Sequence, residues 1–442
     1  MKLQRDCCIL CLLEGAGITG KVSIFKRVEL FLAKGPRSKL AVLLAAVFVL
    51  MALRAGFWGI HGPRGIVDKL YVRAMSPSFA DTRTVTHSID AVLNHADPYV
   101  VRTYDPWHRV YNYPPIWLEL RHLSIDSRST NALGVLFGVL TFTALLLIFR
   151  PKDVLSSILV FLAATSPALM FAVERGNIDQ VIFFLLIAWV LLDSRLAPKI
   201  CEVSTSLMVV FLTVLKVFPI AAAVVLLRSR RKIWLVCGTV FVALAALALT
   251  AGSKLLPTLK NTPIDNEMSF GAYPVWIALH RVFGMPLLTG GRHGHSGAFA
   301  VVVALVAVGL AACFKKQFLM IVPPLSFEAP LGRVAICCLA IFCLAFAGGS
   351  SYNYRLMFLL GPMALLVSEM TTGTRWRTVP VAVLFLADLW RPHQPAILPE
   401  IVDLLCFVVA VAWLGGALLE RLQVPGHEQA EADDSRLSLS HA

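Results

Sequence analysis

The chain has 442 residues, 57% hydrophobic and 15% charged, where a soluble protein carries roughly a quarter charged residues; this excludes an ordinary soluble domain. Its formal charge of +13 falls in short basic clusters between apolar runs, which is the positive-inside pattern of a membrane protein. No aromatic-interleaved basic groove accompanies it, so nucleic acid is excluded as a partner.

Residues 1–37 are expected to form a cytoplasmic segment. The apolar stretch Cys7–Leu13 is short for a signal peptide and is followed by Lys21, Lys26 and Arg27. Cys7, Cys8 and Cys11 lack the further Cys or His partners of a metal site. The remaining seven of the ten cysteines lie in or beside apolar runs, so no disulfide framework is expected.

Apolar runs near ~20 residues, each able to cross a ~30 Å hydrocarbon core, recur over residues 38–422. The first predicted span is Leu40–Trp58 and the second Asn131–Phe149. Between them lies a polar first outer loop, residues 60–130. Val154–Val173 and Ile178–Leu192 follow. Then comes a pair, Val203–Val217 and Pro219–Leu227, broken at Lys216 and Pro219 and expected to form a tilted or re-entrant hairpin. Ile233–Ala251 precedes a second large outer loop, 252–296. Gly297–Phe314, Val334–Ala347, Arg355–Val367, Val379–Leu389 and Ile401–Leu419 complete about 12 transmembrane helices. Residues 423–442 read as a polar, disordered cytoplasmic tail. The fold class is all-α: a polytopic helical membrane protein with a large extracytoplasmic first loop.

Alternating these spans puts the basic clusters and both termini on the cytoplasmic side. The first and second large loops and the turns Glu174–Asp179, Gly348–Tyr354 and Arg391–Glu400 then share the outer side. The first loop carries Asp68, Asp81, Asp90, Asp97, Asp105, Glu119 and Asp126. Asp81 stands out because it opens a segment with Val85, Ile89, Val92 and Leu93 at helical spacing. Two roles are open to it: catalysis, or a favourable interaction with the helix dipole. Asp97-Pro98-Tyr99 closes that helix, and Tyr113-Pro114-Pro115 is a rigid return to the membrane. Trp107, Tyr111, Tyr113 and Trp117 suit an interfacial aromatic belt.

Glu174-Arg175-Gly176-Asn177-Ile178-Asp179-Gln180 is dense in polar residues for a turn between spans. Asn177 or Asp179 can cap the following helix, and Glu174 and Arg175 can pair. Lys216, inside an apolar hairpin, is either a functional cation or a snorkelling one. Arg355, after Ser350-Ser351-Tyr352-Asn353-Tyr354, opens a span at the outer side, where a bound phosphate would give it a purpose. Asn266, Ser269, Tyr273, His280 and Arg281 of the second loop are weaker candidates. His293-Gly294-His295 lacks carboxylate partners and reads as a flexible loop.

Together these motifs resemble the GT-C superfamily of membrane glycosyltransferases, and within it the bacterial polyprenol-phosphate-mannose-dependent family. The resemblance rests on the order of Asp81, Asp97-Pro98-Tyr99, Tyr113-Pro114-Pro115, Arg175-Gly176-Asn177 and Leu215-Lys216-Val217-Phe218-Pro219, over residues 75–370. The first loop has no Asp-x-Asp or Glu-x-Asp pair. The turn after the third span has Arg175-Gly176-Asn177 where the family often has Gly-Gln before Asn.

The resemblance implies transfer of a sugar, mannose first among the candidates, from a polyprenyl-phosphate donor to a hydroxyl of a lipid or glycan acceptor, with inversion. It implies a bacterial cytoplasmic membrane location and an extracytoplasmic active site. Asp81 is then the expected base, and Lys216, Arg355 and Arg175 the expected donor-phosphate ligands. Asn177, Tyr113, Tyr354 and Asp97 are expected to line the substrate pocket. No metal and no cofactor are called for, since fixed cations can serve a monophosphate leaving group. The alternative is a transporter or flippase of lipid-linked sugars, which would carry its polar groups near the bilayer midplane in broken helices.

Overall fold

The computed structural model describes residues 36–58, 72, 75–151, 153–194, 196–227, 233–262, 268–283, 294–370, 375–391 and 397–423. The expected N-terminal segment up to residue 35, Asp68, Asn266, His293 and the tail beyond residue 423 lie outside the described residues.

The described chain is mostly helical. Its helices, in order, are α1 (Pro36–Trp58), α2 (Ala80–Leu93), α3 (Thr130–Ile148), α4 (Val154–Ala164), α5 (Pro167–Arg175), α6 (Asp179–Asp193) and α7 (Pro198–Leu215). They continue with α8 (Ile233–Ala251), α9 (Leu255–Asn261), α10 (Ala272–Phe283), α11 (Gly294–Cys313), α12 (Lys315–Ile321), α13 (Pro330–Ala347), α14 (Leu360–Glu369), α15 (Arg375–Leu389) and α16 (Ile397–Gln423). Among the described residues five helical stretches are long and apolar enough to cross a membrane: Ser127–Ile148, Ile233–Thr258, Ser296–Cys313, Pro330–Ala347 and Ile397–Arg421. The pair α4–α5, bent by 41°, makes a sixth if taken as one span. The chain is thus an all-α protein of membrane character.

Several expected spans differ in form. The third is broken because Pro167 starts a new helix with Ser166 as its cap, accepting from the Leu169 N–H. The hairpin at Lys216 is α7 followed by a 3₁₀ segment, Phe218–Leu226. Pro219 cannot donate to a continuing α-helix. A 3₁₀ helix rises ~2 Å per residue, so this short return segment reaches further than an α-helix of equal length. The span expected from Arg355 likewise begins as a 3₁₀ segment, Asn353–Leu359, before α14.

At the centre lies α13, with 72% of its apolar window buried, against 17% for α8. Gly361 of α14 meets α13 so closely that an added Cβ would lie 2.8 Å from the Cys338 Cβ, the small-residue contact that lets membrane helices approach. On the periphery, Trp234, Phe241, Leu249 and Leu305 are exposed. Such a girdle of large apolar side chains fits lipid better than water.

Two buried arginines tie helix ends together through ion pairs. Arg333 of α13 donates to Asp193 of α6 at 2.9 Å, and Asp193 also accepts from Cys201 and Thr205 of α7. Arg391 pairs with Glu400 at 2.8 Å and with Asp403, both on α16. A two-stranded antiparallel ladder, β1 (Ser269–Phe270) with β2 (Ser351–Tyr352), joins the second loop to the start of the Asn353–Leu359 segment.

The first loop is a packed cap. Tyr99 meets Tyr111 edge to face and Tyr111 meets Tyr113 at a tilt, with ring centroids 5.1 and 6.0 Å apart. The Tyr99 hydroxyl donates to the Tyr113 carbonyl, and the Tyr111 hydroxyl to that of Pro114, each at 3.0 Å. Burial pushes all three phenols above their ordinary pKa. Tyr111, Tyr113 and Trp117 are therefore core residues of the loop rather than an interfacial belt. The Trp117 indole N–H donates to the carbonyl of Leu215 at 3.0 Å, satisfying an end-of-helix acceptor of α7 that has no partner within the helix.

Asp97 straps this cap to the second loop. Its carboxylate accepts the Tyr99 N–H at 3.0 Å and lies 2.6 Å from the Lys254 ammonium. Burial raises the carboxyl's pKa, but the Lys254 and Tyr99 hydrogen bonds outweigh it and hold it below the ordinary value. A depressed carboxyl contributes stability above its unfolded pKa of ~3.9, lost as pH falls through the lower folded value. The pair is part-exposed, so its contribution is small. Asp97→Asn is expected to speed amide exchange at Tyr99 and Asn261 at pH 7 while leaving the thermal midpoint nearly unchanged; unchanged exchange in hydrogen–deuterium mass spectrometry would remove the strap role.

Candidate active site

The site begins with an unusual helix start. Phe79, at the N-cap of α2, has φ 61°, a left-handed conformation rare for a bulky residue. It is held by its N–H, which donates to the Glu174 carbonyl at 2.9 Å, and by its ring, which sits where a Cβ on Gly134 would be. Gly176 completes the seat: at φ +57° it ends α5, and an added Cβ would run into the Thr82 hydroxyl. That hydroxyl donates to the Gly176 carbonyl at 2.6 Å. The glycine of Arg175-Gly176-Asn177 thus serves both its own turn and the close approach of α2, which fixes Asp81 in the first turn of that helix.

Asn177 joins Asp81 to the membrane helices. It is fully buried. Its Nδ2 donates to Asp81 Oδ2 at 2.5 Å, and its Oδ1 accepts from the Asp179 N–H at 2.9 Å and from Lys216 Nζ at 3.4 Å. The amide orientation follows, since Oδ1 already faces two donors. Asn177 was expected in the pocket wall; the structure makes it the link between the carboxylate of α2 and the cations beyond.

Those cations meet at Asp179. Its buried carboxylate lies 2.7 Å from Lys216 Nζ through one oxygen and 3.4 Å from Arg355 Nε through the other. Arg355 also donates from Nη1 to Ser351 at 3.0 Å, the residue positioned by the β1–β2 ladder. The Lys216 ammonium sits 5.5, 5.3 and 5.7 Å from the rings of Tyr113, Phe218 and Tyr354, within cation–π range. Lys216 is buried between an ion pair and three rings rather than snorkelling.

Arg175 stands beside this set. Its Nε lies 3.4 Å from Glu174, and its guanidinium covers Phe171 at 4.8 Å. The Phe171 ring in turn lies 5.7 Å from that of Tyr354. Glu174 is further occupied by the Met75 N–H at 2.8 Å.

Asp81, Asn177, Tyr113, Lys216, Tyr354 and Arg355 therefore converge, with Arg175 one ring away. Asp97 is not among them; its partner is Lys254. The other described loop carboxylates have local duties. Asp126 caps the turn that precedes α3, Asp90 accepts the Ser127 N–H, and Glu119 pairs with half-buried Arg121 and exposed His122. Of the four apolar residues at helical spacing on α2, Val85 and Ile89 are buried, Val92 is half-buried and Leu93 is exposed. Asp179, one of two candidate caps in the sequence, instead holds both cations; Asp105, one of seven loop carboxylates, has no distinguishing mark of its own in the sequence, and neither Phe218 nor Arg109 is a candidate there. Arg109 Nη1 lies 3.6 Å from Asp81. The spacing of Asp105 and Arg109 at i and i+4 was the available signal.

Taken together, the cluster holds a buried carboxylate and, linked to it through one amide, two cations sharing one anion. The Lys216–Asp179–Arg355 group has a formal net charge of +1. No family model, curated protein or solved structure matches the chain.

Proposed function

We propose that this chain is a GT-C-like membrane glycosyltransferase of about 12 spans. It moves a sugar, mannose first among the candidates, from a polyprenyl-phosphate donor to a hydroxyl of a lipid or glycan acceptor, with inversion. Its place is the bacterial cytoplasmic membrane, with both termini cytoplasmic and the active site extracytoplasmic.

The observation that carries this reading is the bridge through Asn177 between Asp81 and the Lys216–Asp179–Arg355 group. In the reaction the acceptor hydroxyl gives its proton to the Asp81 carboxylate as its oxygen attacks the anomeric carbon. The bond from that carbon to the phosphate oxygen breaks from the opposite face, and its electron pair stays on the phosphate. A donor phosphodiester carries one negative charge and leaves as a phosphomonoester that carries a second. A group of net charge +1 suits the diester on arrival. The buried guanidinium and ammonium then stabilise the charge that grows as it leaves.

A transporter or flippase of lipid-linked sugars is the second reading. The interruption of α7 at Lys216 favours it, since broken helices with a cation at the break are a transporter device. One assay separates the two. Purified protein is given labelled polyprenyl-phosphate mannose and a membrane lipid extract. A new glycosidic product supports transfer. Uptake into vesicles without product supports transport and sinks the transferase.

A further inference from the structure

Arg109 and Asp105 are a charged pair of the first loop that the proposed reaction does not itself use. Asp105 is buried and grips the guanidinium with both oxygens, Nε to Oδ1 at 3.2 Å and Nη2 to Oδ2 at 3.0 Å. That carboxylate is itself pinned, by the Trp107 N–H at 2.8 Å and the Thr84 hydroxyl at 3.2 Å. Arg109 Nη2 also donates at 2.6 Å to the carbonyl of Ala80, the residue before Asp81. The Trp107 ring covers the guanidinium at 4.8 Å. The remaining nitrogen, Nη1, is thereby directed at Asp81 Oδ1, 3.6 Å away.

A flexible surface arginine would hold no such direction, because an exposed pair gains little from one geometry. A planar fork locked on a buried carboxylate does hold it. Asp81 is then addressed from two sides: Asn177 on Oδ2 and Arg109 on Oδ1. Other titratable groups face it as well: Glu174 from α5, Lys216 at the end of α7, Tyr354 from the Asn353–Leu359 segment and Tyr113 from the loop. Lys216 is already occupied by Asp179, and among the described residues of the loop Arg109 is the cation beside Asp81.

We infer that Arg109, gripped by Asp105, is a positioning residue that faces Asp81 and holds it aimed for proton abstraction. Its catalytic meaning rests on Asp81 being the base.

The test uses the full chain in detergent, as wild type, Arg109→Gln, Arg109→Lys and Asp105→Asn. A hydrophobic carbodiimide, which reacts with protonated carboxyl groups, is applied across a pH series. The Asp81 adduct is quantified by mass spectrometry, and transfer rates are followed over the same series. Loss of a cation within ~4–6 Å of a carboxylate makes protonation easier by about 1–3 pH units. Arg109→Gln is therefore expected to move half-labelling of Asp81 up by at least about 1 unit. Arg109→Lys should restore most of it, and Asp105→Asn should give an intermediate profile. An unmoved profile in folded Arg109→Gln overturns the inference. Where that variant does not fold, Asp105→Asn carries the same comparison, and its unmoved profile overturns it equally. A labelling profile that moves while the transfer profile stays supports Arg109's hold on Asp81 and removes Asp81 as the base.

Discussion

Asp81→Asn is expected to leave a folded protein whose transfer rate is lower by about 10²–10⁴-fold, the usual contribution of a positioned base. The substitution keeps the shape and keeps an oxygen for Asn177 Nδ2, which donates to the carboxylate at 2.5 Å in the native protein. It removes the capacity to take a proton, together with the negative charge that Arg109 faces at 3.6 Å. Initial rates with labelled polyprenyl-phosphate mannose measure the effect, and size-exclusion elution with a thermal midpoint checks the fold. Asp90→Asn and Glu119→Gln in the same loop serve as controls. They stay within a fewfold of wild type because the Asp90 side chain holds the Ser127 N–H and Glu119 pairs with its neighbours Arg121 and His122, away from the site. Near-normal transfer by folded Asp81→Asn would end the base assignment.

The second large effect concerns Lys216. Lys216→Met removes one of two cations from the buried Asp179 carboxylate. Breaking a buried pair by deleting one partner costs about 3–5 kcal/mol, and Arg355, still 3.4 Å away, lessens this. Arg355 then pairs with Asp179 one to one, so Lys216→Met is expected to keep most of its thermal stability while transfer falls at least about 10²-fold, the order of effect seen when one transition-state donor is removed. Donor KM should rise as well, because a proposed phosphate ligand is gone. An equal loss of stability and transfer would make Lys216 a structural lysine.

Much of the helical architecture is legible because a membrane forces long apolar runs, and α3, α8, α11, α13 and α16 fall where those runs lie. The interrupted elements are less so. Pro167 and Pro219 mark the breaks, but whether the chain resumes as α-helix or 3₁₀ depends on packing partners far along the sequence. The site was legible where a polar residue stood against its apolar background, as with Lys216 and Arg355. It was not legible where polar residues were common. Asp97 and Asp105 carry the same side chain in the same loop. Only the position of Lys254 draws one away, and only the i+4 guanidinium of Arg109 draws the other towards Asp81. Asp179 looked like a cap because its neighbours in sequence invite that role, while its real partners come from the end of α7 and the start of the Asn353–Leu359 segment.

The Trp117 indole that reaches the Leu215 carbonyl spans 98 positions, and the Asn177 amide that reaches Asp81 spans 96. These are clasps between an early loop and helices made much later. The loop leaves the ribosome long before Leu215 exists, so it must wait with its tryptophan and its carboxylate unclaimed. Arg355 arrives later still. The order of synthesis thus makes completion of the site a late step, and a chain cut short before its tenth expected span would carry Asp81 and Lys216 without the full cation pair.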